Sequence, residues 1–302
     1  MNDTAASMTS GRVTSRDGTT IGYLKTGHGP AIVIMHGSME SARSHALLAQ
    51  ALAGEYTVYL PDRRGRGMSG PHRPGHSVRT EVEDLQAVLA ESGAQLAFGV
   101  SAGGLIVLEA ARTLPGLRKA AVYEPALVAD AAPHLAWLKR FDQEMASGDV
   151  AAAMITSMFG LHLAPPFLRV LPRRLLAAVT ERAMKSEDRK AAPGDITMRK
   201  LAPTIHYEGA LLAEMAGDGS AFRAVTADVL LMGGSKGLPF LRPGRDALER
   251  TLPHSRRVEF PGLDHGATSD PSRTNPGGKP ATVALVASEI RSFFQLAHDL
   301  RA

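Results

Sequence analysis

Short apolar runs alternating with stretches of helical periodicity constrain this chain more than any other feature. Residues 31–35 (AIVIM), 56–60 (YTVYL), 95–100 (QLAFGV), 119–123 (KAAVY), 229–232 (VLLM) and 257–260 (RVEF) read as strands. Helix-like segments separate them at 42–52, 78–90, after Ala102 and around 245–252. A strand that is apolar throughout, rather than at alternate positions, is covered on both faces, as in parallel βαβ units. Ahead of this series, residues 13–25 carry β-branched and aromatic residues around Asp17-Gly18, the signal of a hairpin. A closing helix, 282–297, sets Val283, Val286, Ile290, Phe293 and Ala297 on one face. The expected fold is α/β, with a mostly parallel central sheet and flanking helices.

Between the two halves of the pattern, residues 126–226 show helical spacing and no convincing strand. They are expected to form an inserted helical lid on a core made of 1–125 and 227–302. Six of the twelve methionines fall in it (Met145, Met154, Met158, Met184, Met198, Met215), with Trp137, Phe141, Phe159 and Phe167. These side chains either build the lid's own core or line an adaptable apolar pocket. For the second role the candidates are Trp137 and Phe159, with Met39 from the core.

Composition narrows the function classes. Zero cysteines exclude disulfides, thiolate metal sites and a cysteine nucleophile. A net charge of +4 over 302 residues is too diffuse to argue for nucleic acid. The longest uncharged stretch, 150–168, is broken by Gly160, His162 and Pro165-Pro166, so no membrane span is expected. Residues 1–12 are Ser/Thr/Ala-rich and read as a frayed tail rather than a signal peptide, which makes the cytoplasm the expected location. Residues 272–280 read as a turn-rich loop. A small-molecule substrate is the expected partner, with no nucleic acid or membrane, for a monomer or homodimer.

Three glycine-rich motifs compete for attention. Gly65, Gly67 and Gly70 match a dinucleotide fingerprint, but Pro71 and Pro74 follow where the motif needs a helix. G-x-S-x-G occurs at 233–237, leading into Leu238-Pro239, and at 99–103, leading directly into the helical sequence GGLIVLEAARTL. Only the second supplies the strand, turn and helix that expose a serine on a sharp elbow. Ser101 is therefore the candidate nucleophile, with a serine of purely structural role in a tight turn as the alternative. Of the eleven histidines, His265 in Gly262-Leu263-Asp264-His265-Gly266 leaves a strand at its carboxyl end, where sites of parallel sheets gather, and is the best candidate base. His36-Gly37-Ser38 ends another strand, so the amides of Ser38 and Ala102 would make a two-donor oxyanion hole.

With His36-Gly37, the run 62–69 (DRRGRGMS), the elbow at Ser101 and the loop at His265, the sequence resembles the α/β-hydrolase family. That resemblance implies acyl transfer to Ser101, without metal or cofactor. Esters, thioesters or lactones would be the substrates, under a lid that roofs a small acyl group. It also implies that the 62–69 loop is mainly structural, with Arg64 and Arg66 organising it. The strand after the lid, which in most members precedes the triad aspartate, here gives Met232-Gly233-Gly234-Ser235-Lys236-Gly237. Glu124, ending the strand KAAVY, is similar in placement to the acid of a subset that includes some haloalkane dehalogenases. Asp246, Asp264 and a dyad remain as alternatives. Nonhydrolytic chemistry on the same fold, or a ligand sensor, are the rival functions.

Overall fold

The structure, a computed structural model, describes residues 8–161, 163–192, 194–271 and 278–295. His162, Ala297 and most of the 272–280 loop lie outside the described residues. One eight-stranded sheet runs through the molecule in the order β1-β2-β4-β3-β5-β6-β7-β8. Its strands are β1 (Thr9–Thr14), β2 (Thr20–Gly27), β3 (Ala31–Met35), β4 (Thr57–Pro61), β5 (Leu96–Val100), β6 (Lys119–Tyr123), β7 (Asp228–Gly234) and β8 (Ser255–Phe260). From β4 across to β8 neighbouring strands are parallel, while β2 is antiparallel to β4 and to β1. Residues 9–12, whose composition reads as a frayed tail, instead belong to β1, pairing from Thr9 with Lys25 to Thr14 with Thr20. An edge strand needs little apolar sequence, and β1 has no buried residue.

Side-chain alternation divides each inner strand between two cores. Val33, Met35, Ala97, Ala120, Val122, Val229 and Leu231 face one side, packed with α2 (Val78–Ser92) and α3 (Ala102–Thr113). Ile32, Ile34, Phe98, Val100, Ala121, Tyr123, Leu230 and Met232 face the other, with α1 (Ala46–Leu52). The start of α2 is fixed by Ser77, whose hydroxyl accepts the Thr80 amide at 3.4 Å. Gly93, at φ 66°, lets the chain turn out of α2. Every residue of α3 from Ala102 to Ala111 is buried, so this helix is the rigid spine behind the elbow.

Between β6 and β7 come α4 (Ala132–Leu135), α5 (Leu138–Ala146), α6 (Val150–Gly160), α7 (Arg173–Lys190), α8 (Met198–Leu201) and α9 (Ile205–Met215). Among the described residues this segment holds no strand. Phe141, Ala153, Met154, Met184, Ala202 and Ile205 form its own small core. Leu211, Phe222 and Val225, near its end, pack into the main core instead. The chain closes through α10 (Arg242–Thr251), β8 and α11 (Pro280–Gln295), which seats Val283, Val286, Ile290 and Phe293 on the sheet face that carries α1. Among the described residues no helix is long and apolar enough to cross a membrane.

Candidate active site

Strand β5 ends at Val100 and α3 begins at Ala102, leaving Ser101 alone in the turn with φ 54° and ψ −120°. A non-glycine residue held there stores strain, which the surroundings must over-determine. They do so through small residues. A Cβ on Gly99 would come within 2.4 Å of the Gly103 carbonyl, and one on Gly103 within 2.4 Å of the Met35 carbonyl. The Ser101 amide donates to Tyr123 O at 3.0 Å, and its carbonyl accepts from Ala126 and Leu105. The other G-x-S-x-G serine, Ser235, is a plain turn residue whose hydroxyl accepts the Gly262 amide at 2.8 Å.

Parallel pairing of Val100 with Tyr123 sets Ser101 beside Glu124 at the carboxyl edge of the sheet. Glu124 is itself in the left-handed region, at φ 44°, which turns its side chain toward β7. There its carboxylate accepts the Gly234 amide at 3.1 Å and the Leu238 amide at 3.3 Å, with Arg245 Nη1 3.6 Å away. His265 Nδ1 donates to the same carboxylate at 2.7 Å. Burial pushes Glu124 up, but the hydrogen bond and charge of His265 and the two amides outweigh it and hold the group below its ordinary value. The glycines at the end of β7 and in the turn after it are what admit this acid: a Cβ on Gly237 would sit 1.5 Å from Glu124 Oε1. Tyr123, whose hydroxyl donates to Asp264 O at 2.7 Å, anchors the loop that carries His265.

The rival acids are engaged elsewhere. Asp246 pairs with Arg257 at 2.7 Å, and Asp264 accepts the Gly266 amide at 3.1 Å. Among the described residues Ser101 Oγ makes no hydrogen bond, and with Nδ1 held by Glu124 the His265 ring keeps Nε2 uncommitted.

The third element is the loop after β3. His36 is buried and neutral: Nδ1 donates to Gly37 O at 2.9 Å and Nε2 accepts the Arg63 amide at 3.1 Å. Burial, and then the charges of Arg66 and Arg63, hold it well below the usual histidine range. A Cβ on Gly37 would lie 3.3 Å from Ser101 Cβ, so this loop abuts the elbow. Met39 follows with φ 57°, a third strained residue at the same edge. The Gly37 amide is taken by Glu40 at 2.7 Å, while the Ser38 amide has no acceptor among the described residues. Ala102, first residue of α3, has no intrahelical acceptor for its amide.

Of the proposed pocket residues, Met39 and Trp137 pack together against the small core of the helical segment. Phe159 is outside that cluster, lying beneath the Arg169 guanidinium at 5.9 Å. The run 62–69 is a buried ion-pair web. Arg64 pairs with Asp84 and Asp17, Arg63 with Glu81 and Glu208, and Arg66 with Glu208 of α9. Through Glu208, Arg63 and Arg66 join the core to the helical segment, while Arg64 is held within the core and Arg66 Nε has no hydrogen-bond partner among the described residues.

Among the described residues one group, His72, His76 and Glu81, brings three possible ligand atoms within 4.8 Å of one another. It fits a cation poorly. Glu81 gives both oxygens to Arg63, at 2.8 and 3.1 Å, and one also to His76. Burial, then His76 and the guanidinium groups of Arg66 and Arg63, push His72 down to about 3, which keeps its ring neutral. His72 instead stacks on Tyr207 of α9, with ring centroids 3.6 Å apart.

Sequence reasoning missed the roles of Arg63, Glu40 and His45. The ion pairs of Arg63 reach residues 18 and 145 positions away, for which no local pattern exists. His45 was visible as a histidine upstream of Ser101, but nothing in its neighbours marks it as buried.

A mostly parallel eight-stranded sheet with a serine at a strand-to-helix elbow, and a histidine paired to a buried carboxylate, is the architecture of an α/β hydrolase. The alpha/beta hydrolase family model matches residues 32–276, and the chain belongs to this family. It is an enzyme similar to carboxylic ester hydrolases. A pimeloyl-[acyl-carrier protein] methyl ester esterase of Xanthomonas oryzae pv. oryzae is 25% identical over 240 residues, covering 79% of this chain and 89% of the relative. The corresponding esterase of Stenotrophomonas maltophilia is 33% identical over 170 residues, covering 53% and 64%. An alpha/beta hydrolase structure from Sphaerobacter thermophilus superposes with a TM-score of 0.71 at 28% identity, covering 93% of this chain and all of that one.

Proposed function

We propose that the protein hydrolyses small carboxylic esters, thioesters or lactones through an acyl-enzyme on Ser101. The observation that carries this reading is the 2.7 Å bond from His265 to buried Glu124, beside a serine held at the elbow. With Nδ1–H held by Glu124, His265 presents Nε2 as the base. Nε2 takes the Ser101 hydroxyl proton as Oγ bonds the substrate carbonyl carbon, and the carbonyl oxygen becomes an oxyanion facing the Ser38 and Ala102 amides. Collapse of this intermediate breaks the bond to the leaving alcohol or thiol, which receives the proton from His265. Water then enters, gives a proton to His265, and releases the acid and free Ser101. Removing one oxyanion donor typically costs about 3 kcal/mol of transition-state stabilisation. Met39 and Trp137 are proposed to wall the acyl group, with Phe159 farther out, and residues 126–226 to act as the lid.

Similarity to methyl ester esterases supports an ester over a peptide as substrate. The test is labelling by a fluorophosphonate together with turnover of a p-nitrophenyl ester series. Labelling and turnover are expected in the parent and absent in Ser101→Ala. A folded parent that neither labels nor turns over any ester would overturn the proposal and favour nonhydrolytic chemistry.

A further inference from the structure

A charge pair of buried His45 and partly buried Glu40 stands directly behind the loop that carries Ser38. Glu40 Oε2 accepts the Gly37 amide at 2.7 Å and faces His45 Nε2 at 3.1 Å, and Glu40 Oε1 accepts the Ser269 hydroxyl. His45 is fully buried, and its Nδ1 faces the Thr268 carbonyl at 3.0 Å. A carbonyl and an ionised carboxylate are both acceptors only, so with Glu40 held ionised each ring nitrogen donates and His45 is an imidazolium.

The pair also lies close to the chemistry. A Cβ on Gly37 would be 3.2 Å from Glu40 Oε2 and 3.3 Å from Ser101 Cβ, which puts these two atoms within about 6.5 Å of each other. A lone carboxylate at that range would oppose the oxyanion that forms over Ser101. Next to a fixed imidazolium it does not.

We propose that Glu40 is the positioning residue of the oxyanion loop and that His45 is the counter-charge that makes its carboxylate tolerable during acyl transfer. By holding the Gly37 amide, Glu40 turns that donor away and leaves the Ser38 amide facing the site. Through Ser269 and through His45 to Thr268, the same pair ties the loop to the segment that follows His265. The inference rests on Ser101 being the nucleophile.

Its surroundings are consistent with the charges. Burial is outweighed on both groups: His45 and Ser269 hold Glu40 down to about 2, and Glu40 and the Thr268 carbonyl hold His45 above its ordinary value. Asp270 is the other ionisable group facing His45, bonded to the Leu47 amide at 2.9 Å, and His36 faces Glu40 from the loop just after β3.

The test compares His45→Asn with the double variant Glu40→Gln/His45→Asn, reading kcat and KM on a p-nitrophenyl ester. The single variant leaves an uncompensated carboxylate, and kcat is expected to fall about 10- to 100-fold with KM little changed. The double variant removes both charges and is expected to recover about tenfold of that loss. If the pair were only structural, the double variant would be no faster than the single one, and that result overturns the proposal. Nitrogen-15 NMR of the parent protein supplies a reading that needs no variant to fold: His45 is expected to be doubly protonated at pH 7, and a neutral ring there also overturns it. Ser101→Ala is labelled in parallel with a fluorophosphonate. Label persisting in that variant removes the Ser101 reading and this inference with it. Label lost there, with the double variant no faster, removes this inference alone.

Discussion

Replacing Glu124 by Gln preserves shape and deletes one charge, and the surroundings of this side chain make the consequence calculable. Three N–H groups converge on the carboxylate, from His265, Gly234 and Leu238, at 2.7, 3.1 and 3.3 Å. Glutamine offers one acceptor oxygen and one NH2 donor, so in either flip a donor faces a donor. With the oxygen toward His265, the NH2 meets the Gly234 amide, which costs about 1–3 kcal/mol as an unsatisfied buried contact. With the NH2 toward His265, the ring adopts the tautomer that carries its proton on Nε2, and the base is lost. In both flips the imidazolium formed in the transition state loses its counter-charge. A thousand- to ten-thousandfold fall in kcat is expected, equivalent to about 4–5 kcal/mol. Steady-state hydrolysis of a p-nitrophenyl ester measures it, with circular dichroism to check the fold. A folded Glu124→Gln enzyme within tenfold of the parent would refute this reasoning.

Gly237→Ala places a methyl group on Glu124 Oε1, and displacing that carboxylate by about 1.5 Å or more should cut turnover at least about a hundredfold while leaving the helix content unchanged. Arg63→Met strands the fully buried Glu81 and leaves Glu208 with Arg66 as its remaining arginine partner, and urea denaturation should show a loss of about 3–5 kcal/mol. Acid should weaken the fold through Glu81, Glu124 and Glu40, all held below their ordinary values. Their contribution is complete above the unfolded value of 4.5 and is lost as pH falls toward about 2 for Glu40, so Tm should drop steadily below pH 4.5; a flat Tm down to pH 3 contradicts the charge assignments.

The inner strands were legible because burial on both faces leaves continuous apolar runs such as AIVIM and KAAVY. The elbow was legible because its glycines are demanded by backbone contacts, a requirement that survives in sequence as G-x-S-x-G followed by a helix. Thr9 to Arg12 were misassigned because an exposed edge strand carries the composition of a tail. Choosing among Glu124, Asp246 and Asp264 needed the φ of 44° at Glu124 and the space beside Gly237, neither of which is written in local pattern. In retrospect the run Gly233-Gly234-Ser235-Lys236-Gly237 was the available signal, since it leaves room for a carboxylate arriving from the next strand.

The most direct measurement is a crystal structure of the protein after reaction with a p-nitrophenyl alkylphosphonate. Phosphorus bonded to Ser101 Oγ, a phosphoryl oxygen about 2.7–3.1 Å from the Ser38 and Ala102 amides, and His265 Nε2 in hydrogen-bond reach of the adduct are the expected result. Phosphorus on Ser235 or any other residue, or a phosphoryl oxygen turned away from both amides, would contradict the account.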